Sequence, residues 1–488
     1  MEGRLVVGPN RLVHLDLKRA PLKVDYLEKL FPQLKNWGAT GLLIEWEDTF
    51  PYQGELTVIG SAGDCGRSKA PDPGGGAYTE DDVGRILQLA DSNDLMVVPL
   101  VQTFGHLEFV LRHSKYAHLR EVSKYPSSIC PSHPETMLLI TSMIDQVIAM
   151  MPKSLQFFHI GADEVWHLGM CSLCSEQDKF TVLMNHLLSI LRYFKERYPD
   201  VRPIMWDDML RNVPTHLIKE YCISDLVDLM VWYYEPAPFF HVPEDLWAKY
   251  SQTFGKLWVA SAFKGATGPC QILPVLQHHI SNHEQWLSLL NSQSSCLILG
   301  IALTGWSRYD HYATLCELMP AAIPSLALCL KIATTGSYDE DVFKLVATSL
   351  GYTGPVMPSM NPHPRPQAVA AELNFPGWKI HTGIEWYANL RGKHQAVMSS
   401  DQVNAWLNPW QLKHNFTNPM QINGLVSRLF DLGQEWEALE SYLTKHMAEA
   451  YYDSTIDEWL ATLVHPLKNA AKQLYRSGDK QLGPSSGS

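Results

Sequence analysis

Long apolar runs are missing from these 488 residues, and so is any excess of basic charge. A membrane-crossing helix needs about 20 apolar residues in succession. Met1 to Leu17 holds neither such a run nor the apolar centre of a secretory leader. Lysine and arginine number 39 against 51 Asp and Glu, a formal net charge of −12. That balance repels nucleic acid and anionic membranes and argues against both as partners. Cysteine is sparse: nine, an odd number, scattered through a chain too large to need disulfide staples. Free thiols in a reducing compartment are expected, so cytoplasm or nucleus is the expected location. The Asn415-Phe416-Thr417 sequon is accordingly expected to stay unused. A Gly-rich phosphate turn is also absent after the first strand, where His14-Leu15-Asp16-Leu17-Lys18 stands instead. This weakens a doubly wound, nucleotide-binding sheet.

Hydrophobic residues make up 46% of the chain and charged residues 18%, a globular composition rich in Trp (15) and Tyr (20). Most of these rings belong in a core, but aromatic faces also cover the apolar faces of sugars. Eight short apolar, β-branched or aromatic runs alternate with helical patterns: Leu12–Leu17, Gly41–Glu47, Leu95–Gln102, Phe157–Gly161, Pro203–Asp207, Leu229–Tyr233, Leu257–Ala262 and Cys296–Leu303. Near-continuous apolar runs suit parallel strands buried on both faces. Eight of them with intervening helices predict an α/β fold, a (β/α)8 TIM barrel. Thr79 and Asp82 read as a capping box, and Tyr26–Lys35 carries Leu27, Leu30, Phe31 and Leu34 on one helical face. The catalytic barrel is expected over residues 1–335, a C-terminal helical region over 336–476, and a disordered tail over 477–488. Within these, Ser61–Tyr78 and Pro-rich Gly351–Gln367 read as loop and linker, while Leu425, Leu429, Leu432, Trp436, Leu439 and Leu443 mark one helix face.

Barrels carry function where their strands end on the C-terminal side. The polar residues at those ends are mostly carboxylates and aromatics: Asp16, Glu45, His106, Asp163, Glu164, Trp206, Asp207, Trp232, Tyr234, Trp306, Arg308, Tyr309 and Asp310. The strongest local signal is His159-Ile160-Gly161-Ala162-Asp163-Glu164. Two adjacent acids closing an apolar strand raise one another's pKa, which helps to keep one carboxyl protonated near neutrality. A glycosidic oxygen needs such a proton donor. On a regular strand the two side chains point to opposite faces, so their roles differ unless the backbone kinks.

These segments, together with Phe50-Pro51-Tyr52, Pro99–His106, Trp206-Asp207-Asp208-Met209-Leu210, Ala260–Pro269 and Leu303–His311, resemble the family 20 glycoside hydrolases. The resemblance spans the barrel and fades beyond about residue 335. It implies an exo-β-N-acetylhexosaminidase acting on terminal β-linked GalNAc or GlcNAc with retention. In that family the acetamido oxygen of the sugar attacks its own anomeric carbon to give an oxazolinium ion. By resemblance Glu164 is the general acid and then base, Asp163 stabilises the acetamido group, and His106 orients Glu164 or tunes its pKa. The resemblance also implies that Trp206, Trp232 and Trp306 wall the sugar pocket. No cofactor or metal is implied. The implied partner is a small-molecule or glycoconjugate substrate, and a homodimer stays open.

Three departures qualify the likeness. An Arg that clamps sugar hydroxyls in many secreted members is absent from the first-strand motif, so that task falls to Asp16, Glu45, Arg308 or Asp310. Phe263-Lys264 stands where the family carries a Tyr on the acetamido oxygen, leaving Tyr234 or Tyr309 for it. The extra N-terminal domain common in secreted members is not expected here, because the first strand is read as beginning at about residue 11. His167, Cys171 and Cys174 form an H-x3-C-x2-C cluster, but a four-coordinate zinc wants one more ligand than is evident nearby, so a loop with free thiols is expected. Two other readings compete: a metal-dependent barrel hydrolase, which would want the H-x-H strand motif this sequence lacks, and a catalytically impaired sugar-binding protein.

Overall fold

A computed structural model describes residues 7–60, 78–293, 296–352 and 373–482. The loop and linker expected at Ser61–Tyr78 and Gly351–Gln367 lie, but for their ends, outside the described residues. Ten strands are described: β1 (Asn10–Asp16), β2 (Gly41–Glu45), β3 (Met96–Leu100), β4 (Arg120–Val122), β5 (Tyr125–Ile129), β6 (Phe157–His159), β7 (Arg202–Trp206), β8 (Asp228–Trp232), β9 (Lys256–Lys264) and β10 (Leu297–Gly305). All but β4 and β5 form one closed parallel barrel in the order β1-β10-β9-β8-β7-β6-β3-β2. Closure rests on β1, where Leu12 pairs with Gly41 of β2 and with Ala302 of β10. An open doubly wound sheet has no such pairing. The molecule is therefore an eight-stranded (β/α)8 barrel followed by a C-terminal helical region.

The barrel is filled rather than hollow. Leu12, Leu43, Val98, Leu100, Ile204, Met230 and Trp258 meet inside it, with Trp206 at the upper layer and Trp232 and Trp306 packed above. This plugged floor turns the mouth into a blind cavity. Outside, the helix Met319–Thr335 is apolar on every side, and nearly all of it is buried. A helix of that kind needs cover on both faces. It lies between the barrel and the helices Glu340–Ser349 and Trp378–Met398. The long helix Pro419–Met447 buries the predicted stripe Leu425, Leu429, Leu432, Trp436, Leu439 and Leu443.

Some local structure differs from expectation for local reasons. The Thr79–Asp82 capping box forms as predicted, opening the helix Glu80–Ser92. The final helix, His465–Leu482, runs past residue 477, where a tail was expected, because Leu474, Tyr475 and Leu482 pack on the cluster around Leu425 and Leu429. The hairpin β4–β5 was not anticipated, since its strands are short and hold Ser and Pro rather than an alternating apolar pattern. Among the described residues no helix is long and apolar enough to cross a membrane.

Candidate active site

Strand β6 ends at His159, and the backbone then abandons extended geometry: Gly161, Ala162 and Glu164 all have φ between +46° and +67°. Left-handed φ in non-glycine residues stores strain, which the surrounding structure must hold in place. The kink defeats strand alternation and turns Asp163 and Glu164 toward one cavity. Two glycines make room for it. A Cβ on Gly161 would sit 2.0 Å from the Gln102 side-chain oxygen, and one on Gly105 would sit 2.0 Å from the Asp163 carbonyl. The Phe104-Gly105-His106 turn can therefore lie directly against the acid pair.

His106 is the hub of that contact. Its Nε2 lies 3.2 Å from Glu164 Oε2 and 3.4 Å from Asp163 Oδ2. Burial opposes a charge on His106, but Asp163 and the bond to Glu164 outweigh it and carry the imidazole up to about 10. Burial, with Glu45 and Glu164 adding to it, raises Asp163 above the usual carboxylate range, although His106 opposes this. The two acids differ in depth: the Glu164 side chain is 34% exposed and that of Asp163 only 10%. Asp163 Oδ1 is buried and has no hydrogen-bond partner among the described residues. Below the pair, Asp208 accepts from the Glu164 backbone N–H at 2.9 Å and from the Trp232 indole at 3.2 Å. Burial and the Asp163 charge push Asp208 up to about 7.

The cavity, about 390 Å³, is floored by Lys18, Glu45 and Gln102 and walled by Trp206, Trp232, Tyr234 and Trp306. Buried Glu45 meets His14 Nε2 at 3.1 Å and accepts from the Gln102 amide at 3.3 Å. Lys18 Nζ stands 3.4 Å from both Asp16 and Glu47, 3.9 Å from Glu45 and 5.5 Å from the Trp306 ring centre. Burial works against the Lys18 charge, yet Asp16, Glu45 and Glu47 hold the ammonium well above its ordinary range. Trp232 stacks on Tyr234 at 5.1 Å, and Trp206 and Trp306 lie 6.0 Å apart. Buried Lys264 donates to the Trp306 carbonyl at 2.7 Å and props that wall.

Of the residues predicted from the sequence, Glu45, His106, Asp163, Glu164, Trp206, Trp232, Tyr234, Trp306, Arg308 and Tyr309 line this cavity, and Asp16, Asp207 and Asp310 do not. Asp16 accepts from the backbone N–H of Ser307 and of Lys18, tying the start of the barrel to its end. Asp207 receives both Nε and Nη2 of Arg211. Asp310 caps the turn at Tyr312 and Ala313. Arg308 reaches the lining, but its guanidinium is engaged: it donates to both oxygens of Glu458 at 2.5 and 2.7 Å, and to the carbonyls of Lys18 and Ala313. The Tyr309 hydroxyl accepts from Gly268 N–H at 2.7 Å, in a residue 44% exposed. Lys18, Gln102, Tyr233, Glu235, Gly265 and Ala266 also line the cavity and were not among the predicted residues. Three of them had a usable signal: Lys18 stands two residues beyond Asp16, and Gln102 and Tyr233 close the third and sixth apolar runs. Asp208 acts from behind the lining, and only its position beside Asp207 hinted at it.

Near the mouth Glu47, Asp48 and His311 come together within 4.8 Å. Lys18 faces Glu47 and Arg112 faces Asp48, so cations of the chain meet this charge.

The pattern of the catalytic domain of glycosyl hydrolase family 20 matches residues 13–235, from β1 through the end of β8. Hexosaminidase D of Homo sapiens is 39% identical over 470 residues, spanning 93% of this chain and 91% of that protein. Hexosaminidase D of Bos taurus is 43% identical over 348 residues, or 70% of this chain and 96% of that one. In fold, a β-N-acetylhexosaminidase from Bacteroides fragilis superposes with a TM-score of 0.51 over 70% of each chain, at 16% identity. Likeness of this extent and identity, over a barrel in which the two acids that follow β6 share one cavity, places the chain in glycoside hydrolase family 20.

Proposed function

We propose that this family 20 chain is an exo-acting β-N-acetylhexosaminidase that removes terminal GalNAc, and GlcNAc, with retention by substrate-assisted catalysis. The observation that carries the reading is the spare acceptor on Asp163. A buried carboxylate oxygen without a donor costs about 1–3 kcal/mol or more, and Oδ1 is such an atom at the wall of a sugar-sized cavity. The N–H of an acetamido group is the donor that fits it. With that N–H held, the acetamido oxygen is turned toward C1 and attacks it as the glycosidic C–O bond breaks. Positive charge spreads over the oxazolinium ring beside Asp163, where a fixed anion stabilises it more than it stabilises the neutral amide.

Glu164 takes the outer role. Its greater exposure suits a group that meets first the leaving oxygen and then water. It gives its proton to the departing oxygen and afterwards takes one from the water that opens the oxazolinium at C1. His106 and Asp208 are positioning residues, one on the Glu164 carboxylate and one on its backbone N–H. We favour Tyr234 for the acetamido oxygen: it is half-buried at the cavity wall, stacked on Trp232, with its hydroxyl beside Thr304 and Trp306 and within reach of the charges of Asp163 and Glu164. Tyr309 suits the task less because it is 44% exposed, although its hydroxyl only accepts from Gly268 N–H and keeps its own O–H free. Lys18 and Glu45 are placed to grip the sugar hydroxyls, since the donors of Arg308 are occupied. The plugged floor favours an exo mode, with one sugar entering end-on.

The test is a series of aryl β-GalNAc and β-GlcNAc substrates whose acetyl group carries zero, one, two or three fluorines. A nucleophilic amide oxygen predicts a steep fall in kcat/KM with each fluorine, and a flat series would rule out participation of the amide. A GlcNAc preference within the series would overturn only the order of the two sugars.

A further inference from the structure

Two residues of the H-x3-C-x2-C cluster, Cys171 and Cys174, meet two that the sequence did not connect with them, Cys130 and Glu121. Cys171 and Cys174 lie in a turn closed by Cys174 N–H and Ser175 N–H donating to the Cys171 carbonyl. Across from them Cys130 follows β5, with its Sγ 3.3 Å from Cys171 Sγ and 3.7 Å from Cys174 Sγ. A disulfide requires about 2.05 Å, so these are not bonded pairs. Tetrahedral zinc, with Zn–S near 2.3 Å, sets its sulfurs about 3.8 Å apart. Glu121, on the partner strand β4, completes the group: one of its carboxylate oxygens and the three sulfurs all lie within 4.8 Å of one another.

Glu121 supplies the independent sign of a missing ligand. The residue is only 3% exposed. Its Oε1 accepts from the N–H groups of Met170 and Cys171 at 2.5 and 3.0 Å, while Oε2 is buried without a partner among the described residues. His167 stays apart, stacked on Tyr125 with ring centres 4.5 Å from each other. Ser132 Oγ lies 3.2 Å from Cys174 Sγ and can orient it from outside the coordination shell.

We infer that Cys130, Cys171, Cys174 and Glu121 bind one zinc ion, a structural clip between the β4–β5 hairpin and the loop that leaves the catalytic carboxylates. Three thiolates and one carboxylate suit a thiophilic divalent cation in tetrahedral geometry, and Cys-x2-Cys is a common zinc spacing. Binding releases three thiol protons and forms three Zn–S bonds and one Zn–O bond, with no redox change. None of the four residues lines the substrate cavity, so the ion takes no part in hydrolysis. Its position matters all the same. The hairpin holds the His106 turn through Leu107 N–H to Ser127 O and Ile129 N–H to Phe104 O, and Cys171 follows Glu164 by seven residues. The clip thus joins the two segments that carry His106 and Glu164. The inference stands independently of the proposed hydrolytic mechanism.

The experiment uses the full chain, untagged, purified under reducing conditions without chelator from zinc-replete cells, with metal counted by plasma mass spectrometry. The expected result is one zinc per chain, reduced below a tenth by Cys130→Ser or Cys171→Ser and unchanged by Cys222→Ser, an exposed thiol elsewhere. Glu121→Gln should weaken zinc, in competition with a chromophoric chelator, by more than the roughly 10-fold that losing even an outer-shell partner costs. Because a variant can fail to fold, wild-type protein grown on cobalt gives a second readout: thiolate-to-Co2+ charge transfer and the intense visible bands of a tetrahedral ion. Wild-type protein with less than a tenth of an equivalent of zinc and no cobalt spectrum would overturn the inference. So would a Cys130–Cys171 disulfide in non-reducing peptide maps.

Discussion

Replacing Asp163 by Asn is the sharpest probe of the division of labour between the two acids. The change keeps the shape and one acceptor but removes the charge. At an effective dielectric of about 20, a unit charge about 4 Å from the forming oxazolinium is worth about 4 kcal/mol, or about three decades in rate. The amide dipole returns part of this, so kcat should fall about 100- to 1000-fold. KM should change little, because the neutral acetamide gains much less from the charge than the cation does. The fold should not suffer. Burial already holds Asp163 above its ordinary range, so the neutral side chain relieves a desolvated charge, and Tm should stay level or rise. Two measurements decide the matter: steady-state kinetics on an aryl β-GalNAc glycoside, and the fluorinated series repeated on the variant. Activity within threefold of wild type at unchanged Tm would refute the role given to Asp163. A fall in kcat with a matching loss of Tm would instead mean that the carboxylate serves the fold.

Glu164→Gln should lower kcat/KM by about 10²–10⁴-fold on an alkyl glycoside. The loss should be much smaller on a dinitrophenyl glycoside, whose leaving group needs no proton; equal losses on both would place the proton donor elsewhere. Glu458→Ala strands the buried Arg308 guanidinium and should cost about 3 kcal/mol, seen as a Tm several degrees lower, with KM raised through the Lys18 carbonyl that Arg308 holds; an unchanged Tm would show that the pair contributes nothing. Asp208 binds its proton more tightly in the folded than in the unfolded chain, since burial and Asp163 raise it to about 7. Its contribution is therefore fully present below the ordinary Asp pKa and is lost as pH rises through about 7. The Tm of Asp208→Asn should accordingly fall less than that of wild type between pH 5 and 8, by the equivalent of about 2–4 kcal/mol, and parallel curves would count against the shift.

The barrel is legible in the sequence because its strands are buried on both faces and write their position as apolar runs; Gly41–Glu45 and Arg202–Trp206 fall almost where the runs do. The hairpin β4–β5 writes no such run, and with it Glu121 and Cys130 stay invisible beside Cys171 and Cys174. The carboxylates show the same limit at the mouth. Strand alternation sends Asp163 and Glu164 to opposite faces, and only the left-handed backbone at Gly161, Ala162 and Glu164 brings them together.

Arg308 and Asp163 make the general point, because their local signals are alike: each is a charged residue just past a strand end. Whether such a residue can meet a sugar depends on whether the protein has already supplied its partner. For Arg308 the partner is Glu458, 150 residues further on, beyond the barrel and beyond the reach of any motif. For Asp163 the protein supplies His106 on one oxygen and leaves the other empty. A pattern of residue types at strand ends therefore marks the region where chemistry occurs, while availability within that region is set by distant pairings that only the closed fold creates. The C-terminal helices belong to the site in this sense. By engaging Arg308 they leave Lys18, fixed among Asp16, Glu45 and Glu47, as the cation that faces the cavity floor.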